Sequence, residues 1–275
     1  MLTRIIDVAC RISPNLKRSL VRMWYQYLTV LDKEALVIFM NYGYVDLNPD
    51  AVEIELRVVD EVDRYCIQLY HAVASAIELK GLDVLEVGCG RGGGASYIMR
   101  YLQPNFMIGV DISEKAVAFC NRYHAVEGLS FCEGDAESLP FDENTFDVIV
   151  NVESSLCYGS MERFLREVFR VLRPNGYFLF TDFRSKDEID VLRKQLMNSG
   201  LEVLKEESIT PNVLKALDCD NTRKLGIIYR NVPRIMRKHV QHFAGIKGTK
   251  TYEAFRMGDT DYRSFILHKS EGLQE

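Results

Sequence analysis

The chain has 275 residues, 34 Lys+Arg against 39 Asp+Glu, a formal net charge of −5 and 47% hydrophobic residues. That balance describes a folded domain with accessory segments and excludes a disordered chain or a general nucleic-acid binder. No apolar run reaches membrane-span length, and seven cysteines, scattered from Cys10 to Cys219 without a C-x-x-C pair, read as reduced thiols in a cytoplasmic protein.

Residues 1–31 read as helical. Leu2, Ile5, Ile6, Ala9 and Ile12 recur near helical spacing, Ser13-Pro14-Asn15 breaks the pattern, and Leu16 to Leu31 follows with Trp24, Tyr25 and Tyr27. Arg4 and Asp7 inside the apolar pattern argue against a signal peptide. Five basic residues against one acidic suit a peripheral membrane contact. Packing over the rest of the chain, or a homodimer contact, is the plainer reading. Residues 34–60 look irregular, and a helix from about Asp60 to Leu79 completes an N-terminal helical cap region, 1–79.

Val84-Leu85-Glu86-Val87 then reads as a buried strand that breaks into Gly88-Cys89-Gly90-Arg91-Gly92-Gly93-Gly94, with a helical pattern from Ala95 to Leu102. Strand, glycine turn, helix opens a nucleotide-binding α/β unit, although such a turn alone is a weak signal. Phe106 to Val110 is a second strand, ending in Asp111 and Ile112. Gly134-Asp135-Ala136-Glu137 follows a third. Phe146 to Val150 is an apolar strand running into Asn151, Val152 and Glu153. Val171-Leu172-Arg173-Pro174-Asn175-Gly176 ends a helix and turns into the strand from Tyr177. Strands are expected near 83–87, 106–110, 129–132, 146–150, 176–182, 201–208 and 262–268, the first five alternating with helices as in a parallel, doubly wound sheet. An insertion of about fifty residues, 210–261, with helical patterns at Val213–Leu217, Arg223–Tyr229 and Ile235–Phe243, is too long for an ordinary loop.

In this order and spacing the blocks resemble the class I S-adenosylmethionine-dependent methyltransferases over roughly residues 80–185. Further stretches, Ile67-Gln68-Leu69-Tyr70-His71, Asn151-Val152-Glu153-Ser154-Ser155 and Phe243-Ala244-Gly245-Ile246-Lys247-Gly248-Thr249 among them, resemble lipid and natural-product O-methyltransferases, in particular those of phthiotriolone and phenolphthiotriolone dimycocerosates. That group has a histidine beside the position of Leu156, which this chain lacks, so no base is carried over from that loop. The resemblance implies an α/β, Rossmann-like seven-stranded class I sheet with helices on both faces. It also implies a methyltransferase domain over 80–275, whose 210–261 insertion forms a helical lid.

The implied cofactor is S-adenosylmethionine, released as S-adenosylhomocysteine. Glu86 and the turn Gly88-Cys89-Gly90 suit its zwitterionic methionine tail better than a diphosphate. Asp111, with Ile112 beside it, can accept from both ribose hydroxyls. Asp135 can accept from the adenine amino group while the Ala136 N–H meets the ring, and Asn151 can line the same pocket or simply end its strand. No metal-ligand cluster stands out.

Methyl transfer is an in-line displacement in which the protein aligns the acceptor and excludes water. An acceptor hydroxyl also benefits from a base. Of five histidines, His71 is the first candidate; His124 reads as surface, His268 as structural, and His239 lies in the presumed lid. A lone histidine more often serves structure than catalysis. Glu153 is the second candidate, weighed against a surface helix cap. Tyr42, Tyr70, Tyr158 and His239 are expected around the acceptor, although ordinary packing also explains tyrosines. The expected reaction is O-methylation of a hydrophobic small molecule (lipid, polyketide or terpenoid), with no nucleic-acid partner. Carbon or nitrogen methylation, a non-methyl-transfer reaction on the same cofactor, and an NAD oxidoreductase are the alternatives.

Overall fold

The computed structural model describes residues 37–271. The basic, aromatic pattern of residues 1–31, with the membrane or dimer contact read from it, lies outside the described residues. Seven strands form one sheet: β1 (Asp83–Val87), β2 (Phe106–Asp111), β3 (Leu129–Glu133), β4 (Phe146–Val152), β5 (Leu172–Ser185), β6 (Glu202–Ser208) and β7 (Thr260–His268). Their order is β3-β2-β1-β4-β5-β7-β6. The first five pair in parallel, and β7 runs antiparallel between β5 and β6. Strand order reverses between β1 and β4, which opens a crevice at their C-terminal ends, the usual ligand position in such sheets.

Alternation along each buried strand feeds two cores. Val148 and Val150 join the layer that holds α1 (Arg64–Ala74), α2 (Gly93–Leu102) and α3 (Glu114–Tyr123), whereas Ile149 joins the layer of α4 (Met161–Val171) and α5 (Lys186–Met197). The helix preceding β1 stops at Ala74, five residues earlier than its pattern suggested.

The insertion differs more. Its first two helical patches are one 22-residue helix, α6 (Thr210–Asn231), followed by α7 (Arg237–Phe243) and α8 (Lys250–Met257). The polar run Asp218 to Thr222 separates those two patterns in the sequence. It stays helical because its acids are paired: Asp220 with Arg223 at 2.6 Å, and Asp218 with Lys247 at 2.8 Å and the Tyr252 hydroxyl at 2.9 Å. Pro233 ends α6 by the ordinary restriction on the residue before a proline. Val213 and Leu217 of α6 and Tyr252 and Phe255 of α8 enter the same core as α1, so the insertion is rooted on the sheet rather than hung from it.

Candidate active site

The glycine turn is pinned at both ends. The Gly88 and Cys89 N–H groups donate to the Val110 carbonyl at 2.8 and 3.0 Å. Gly88 sits at φ +76°, and a Cβ there would lie 2.4 Å from Ser154 Oγ and 2.8 Å from the Tyr158 hydroxyl. Only glycine serves both the conformation and the approach of the loop after β4. Asp111, at the tip of β2, accepts from the Gly90 N–H on Oδ2 and from the Ser113 N–H on Oδ1, each at 2.9 Å. Burial pushes its carboxyl above the usual range, and the two amides pull it back. Asp135 Oδ1 accepts from the Glu137 N–H at 3.0 Å. Gly88, Cys89, Gly90, Asp111, Ile112, Asp135 and Ala136 all line one cavity. A glycine turn open to close approach, a carboxylate at the end of β2, a second after β3 and walls of Val110 and Ile112 fit an adenosyl group carrying an amino-acid tail.

Two residues expected to contact the cofactor stand behind the wall instead. Glu86 is fully buried and accepts from the Tyr70 hydroxyl at 2.6 Å. Burial pushes its carboxyl up to about 7, against the bond from Tyr70 and the Ala95 amide. Tyr70 faces the cavity in its place, its ring lying where a side chain on Gly94 would be: a Cβ there would meet Tyr70 Cε1 at 1.9 Å. The fifth glycine of the turn therefore makes room for a tyrosine, not for a ligand. Gly94→Ala is expected to cost about 1–3 kcal/mol by overpacking, read as a drop of several degrees in Tm by calorimetry; an unchanged Tm would contradict the packing. Asn151 is also fully buried. Its Nδ2 lies 2.9 Å from the Val87 carbonyl, 2.8 Å from Ser154 Oγ and 2.9 Å from the Tyr158 hydroxyl, tying the end of β1 to the loop after β4.

The two candidate bases fare differently. His71 does not line the cavity. Its Nδ1 shares a 2.7 Å hydrogen bond with the Tyr97 hydroxyl on α2, and burial lowers its pKa. One helical residue is a 100° turn, so Tyr70 facing the cavity directs His71 toward α2. His124 is likewise no surface residue: it is buried, with Nε2 donating to the Arg91 carbonyl at 2.7 Å. Glu153 does line the cavity, with its backbone in the left-handed region at φ +50°. Its Oε1 accepts from the Tyr42 N–H at 2.7 Å and the Tyr262 hydroxyl at 2.6 Å. Burial pushes its carboxyl up to about 8, with a small addition from Asp182, while these two bonds and Lys224 oppose the rise. A side chain so held is not a solvent-exposed helix cap.

The segment Ile38 to Asn41, outside the residues singled out in the sequence, has no secondary structure and closes the cavity. The Met and aromatic density of Phe39 to Tyr44 was the only signal. Phe39, Met40, Asn41 and Arg91 also line a second cavity, so the segment is a partition. The far side of that cavity is largely apolar: Ile227 and Ile228 of α6 with Val232 just after it, and Val240 and Phe243 of α7 with Ala244 just after it. Tyr42 lines it. Tyr70 and Tyr158 line the first cavity instead, and His239 lines neither, being exposed one residue before Val240.

The methyltransferase domain family matches residues 78–238. The fatty-acid O-methyltransferase of Mycolicibacterium smegmatis is 37% identical over 262 residues, 95% of this chain and 94% of that one. The phthiotriol/phenolphthiotriol dimycocerosates methyltransferase of Mycobacterium tuberculosis is 37% identical, covering 90% and 91%. Among solved structures, the [4+2]-cyclase SpnF superposes with a TM-score of 0.69 at 21% identity, covering 93% of this chain and 97% of that one. The geranyl diphosphate C-methyltransferase of Streptomyces coelicolor A3(2), solved with S-adenosyl-L-homocysteine, gives 0.61 at 17%, covering 83% and 90%. Those two share the fold; the sequence relatives share the family. The chain belongs to the methyltransferase domain family and is an S-adenosylmethionine-dependent methyltransferase of class I fold.

Proposed function

We propose that the protein methylates an oxygen of a hydrophobic small molecule, a lipid, polyketide or terpenoid. The observation that carries this reading is the second, largely apolar cavity, which shares Phe39, Met40, Asn41 and Arg91 with the cofactor cavity as a common wall. The names of the two sequence relatives, both methyltransferases of lipids, support it. In this reading the side-chain-free turn Gly88-Cys89-Gly90 gives the methionine end of the cofactor close approach to the backbone, Asp111 takes the ribose, and Asp135 with Ala136 the adenine. The sulfonium supplies a methyl group already activated for displacement.

Glu153 stands where a proton has to be removed. Both of its hydrogen bonds fall on Oε1, which leaves Oε2 to accept from an acceptor hydroxyl. Burial of the carboxyl makes it a stronger base than an ordinary glutamate once it is ionised. Tyr42 links the two cavities, since its amide holds Glu153 while the residue itself lines the acceptor side. The C-terminal half of α6 and α7 form the lid over that side, and α8 roots it on the core.

Ala244→Phe puts a ring into the apolar cavity. It is expected to raise KM for long-chain acceptors about tenfold or more, in line with the cost of overfilling an apolar site. Affinity for S-adenosylhomocysteine, measured by calorimetry, should stay within about twofold because Ala244 does not line the first cavity. Unchanged KM across chain lengths would remove the acceptor from this cavity.

A further inference from the structure

From Asn221 to Lys250 the chain carries eight Lys and Arg and no Asp or Glu, although the whole protein has a net charge of −5. The root of this stretch is internally neutralised: Arg223 pairs with Asp220 and Asp63, and Lys224 approaches Asp220. Its tip is not. Arg230, Arg234, Arg237 and Lys238 make no ion pair with any carboxylate among the described residues. Between these cations the turn from α6 to α7 holds Ile235, 84% exposed, and Tyr229, 52% exposed. The turn is preformed. Arg237 donates to the Val232 and Tyr229 carbonyls at 3.0 and 2.9 Å and lies over the Tyr229 ring, and the Met236 N–H bonds the Pro233 carbonyl at 2.8 Å. The flanking residues Val232 and Val240 are wall residues of the apolar cavity.

We propose that this α6–α7 turn docks on the surface of an anionic lipid bilayer, with Ile235 entering the acyl boundary and Arg230, Arg234 and Lys238 meeting the headgroups. An exposed large aliphatic side chain set among unpaired cations has the chemistry of an interfacial anchor, in which apolar burial and attraction to anionic lipid add. The other exposed apolar run points away from this role. Val52, Val58, Val59 and Val62 are interleaved with Glu53, Glu55, Asp60 and Glu61, which an anionic surface repels. The proposal also gives the cavity a source of acceptor, because a wall of the cavity would rest on the membrane. Docking itself needs no turnover, so it stands or falls apart from the methyl-transfer reading.

The test is co-sedimentation of the full chain with vesicles of mixed phosphatidylglycerol and phosphatidylcholine, and with phosphatidylcholine alone. Binding is expected to the anionic vesicles, weakening as salt rises. The triple variant Arg234→Glu, Ile235→Asp, Lys238→Glu is expected to lose at least about tenfold in partition coefficient, with S-adenosylhomocysteine affinity and Tm retained. Should that variant not fold, Ile235→Ser, a change at one exposed side chain, is expected to lose about tenfold by itself. No preference for anionic vesicles overturns the proposal. So does a folded variant that binds like the parent, which would place the contact elsewhere in the chain, or retention on a soluble polyanion without vesicle binding.

Discussion

Glu153→Gln is expected to lower kcat about a hundredfold, the usual worth of a positioned general base, while S-adenosylhomocysteine affinity stays within about twofold. Gln keeps the shape that accepts from the Tyr42 N–H and the Tyr262 hydroxyl, and loses only the ability to take a proton. The same carboxyl sets the pH dependence. The carboxyl is pushed up to about 8 by burial, so the basic form grows as pH rises. In the parent enzyme kcat/KM should climb through the neutral range and level off above that value, and Glu153→Gln should be flat there. A cationic cofactor in the same cavity favours the carboxylate, so the limb in kcat should lie at lower pH than the limb in kcat/KM.

Stability gives an independent reading of the same group. A carboxyl whose pKa is raised in the folded state binds more protons folded than unfolded, so stability falls as pH rises from its ordinary value of 4.5 toward about 8. Glu153→Gln should therefore melt near the parent temperature in acid and several degrees above it at about pH 9. If the variant turns over like the parent at every pH, the acceptor needs no base, as a carboxylate would not, or the base stands elsewhere in the second cavity.

Asp111→Ala is expected to weaken S-adenosylhomocysteine binding by about a hundredfold or more. Hydrogen bonds to a charged group are worth about 1.5–3 kcal/mol each, and two ribose hydroxyls would lose theirs. The substitution also strips the acceptor from the Gly90 and Ser113 N–H groups, so the glycine turn itself loosens. Tm should drop by a few degrees for that reason. Asp111→Asn, which keeps one acceptor oxygen, should fall between parent and Ala. Equal affinity in Asp111→Ala would take the ribose away from this residue.

What the sequence disclosed was periodic. Each of the five parallel strands is an apolar run ended by a polar or glycine-rich turn, and that pattern sets both the sheet and the crevice at its C-terminal edge. What it hid depended on contacts between distant residues. Helical rotation decides that Tyr70, and not His71, faces the cavity, yet both fit the same pattern. Glu86 reads as a ligand contact by its place in the turn, but Tyr70 comes between. Asn151 could as well have lined the pocket; its Nδ2 is spent on Val87, Ser154 and Tyr158. The partition from Ile38 to Asn41 has no periodicity to read. It is held by long-range bonds, from Asn41 Nδ2 to the Cys66 carbonyl and from the Tyr42 N–H to Glu153. The continuity of α6 was masked by Asp218 to Thr222, whose acids find their partners Arg223, Lys247 and Tyr252 outside that stretch.

Transfer of label from methyl-labelled S-adenosylmethionine into an extract of lipids and natural products, followed by mass spectrometry of the labelled product, tests the account most directly. It predicts an apolar product carrying the label in an O-methyl group, formed only with enzyme and lost in Asp111→Ala. Label on carbon or nitrogen, or no transfer by a protein that still binds S-adenosylhomocysteine, would contradict it.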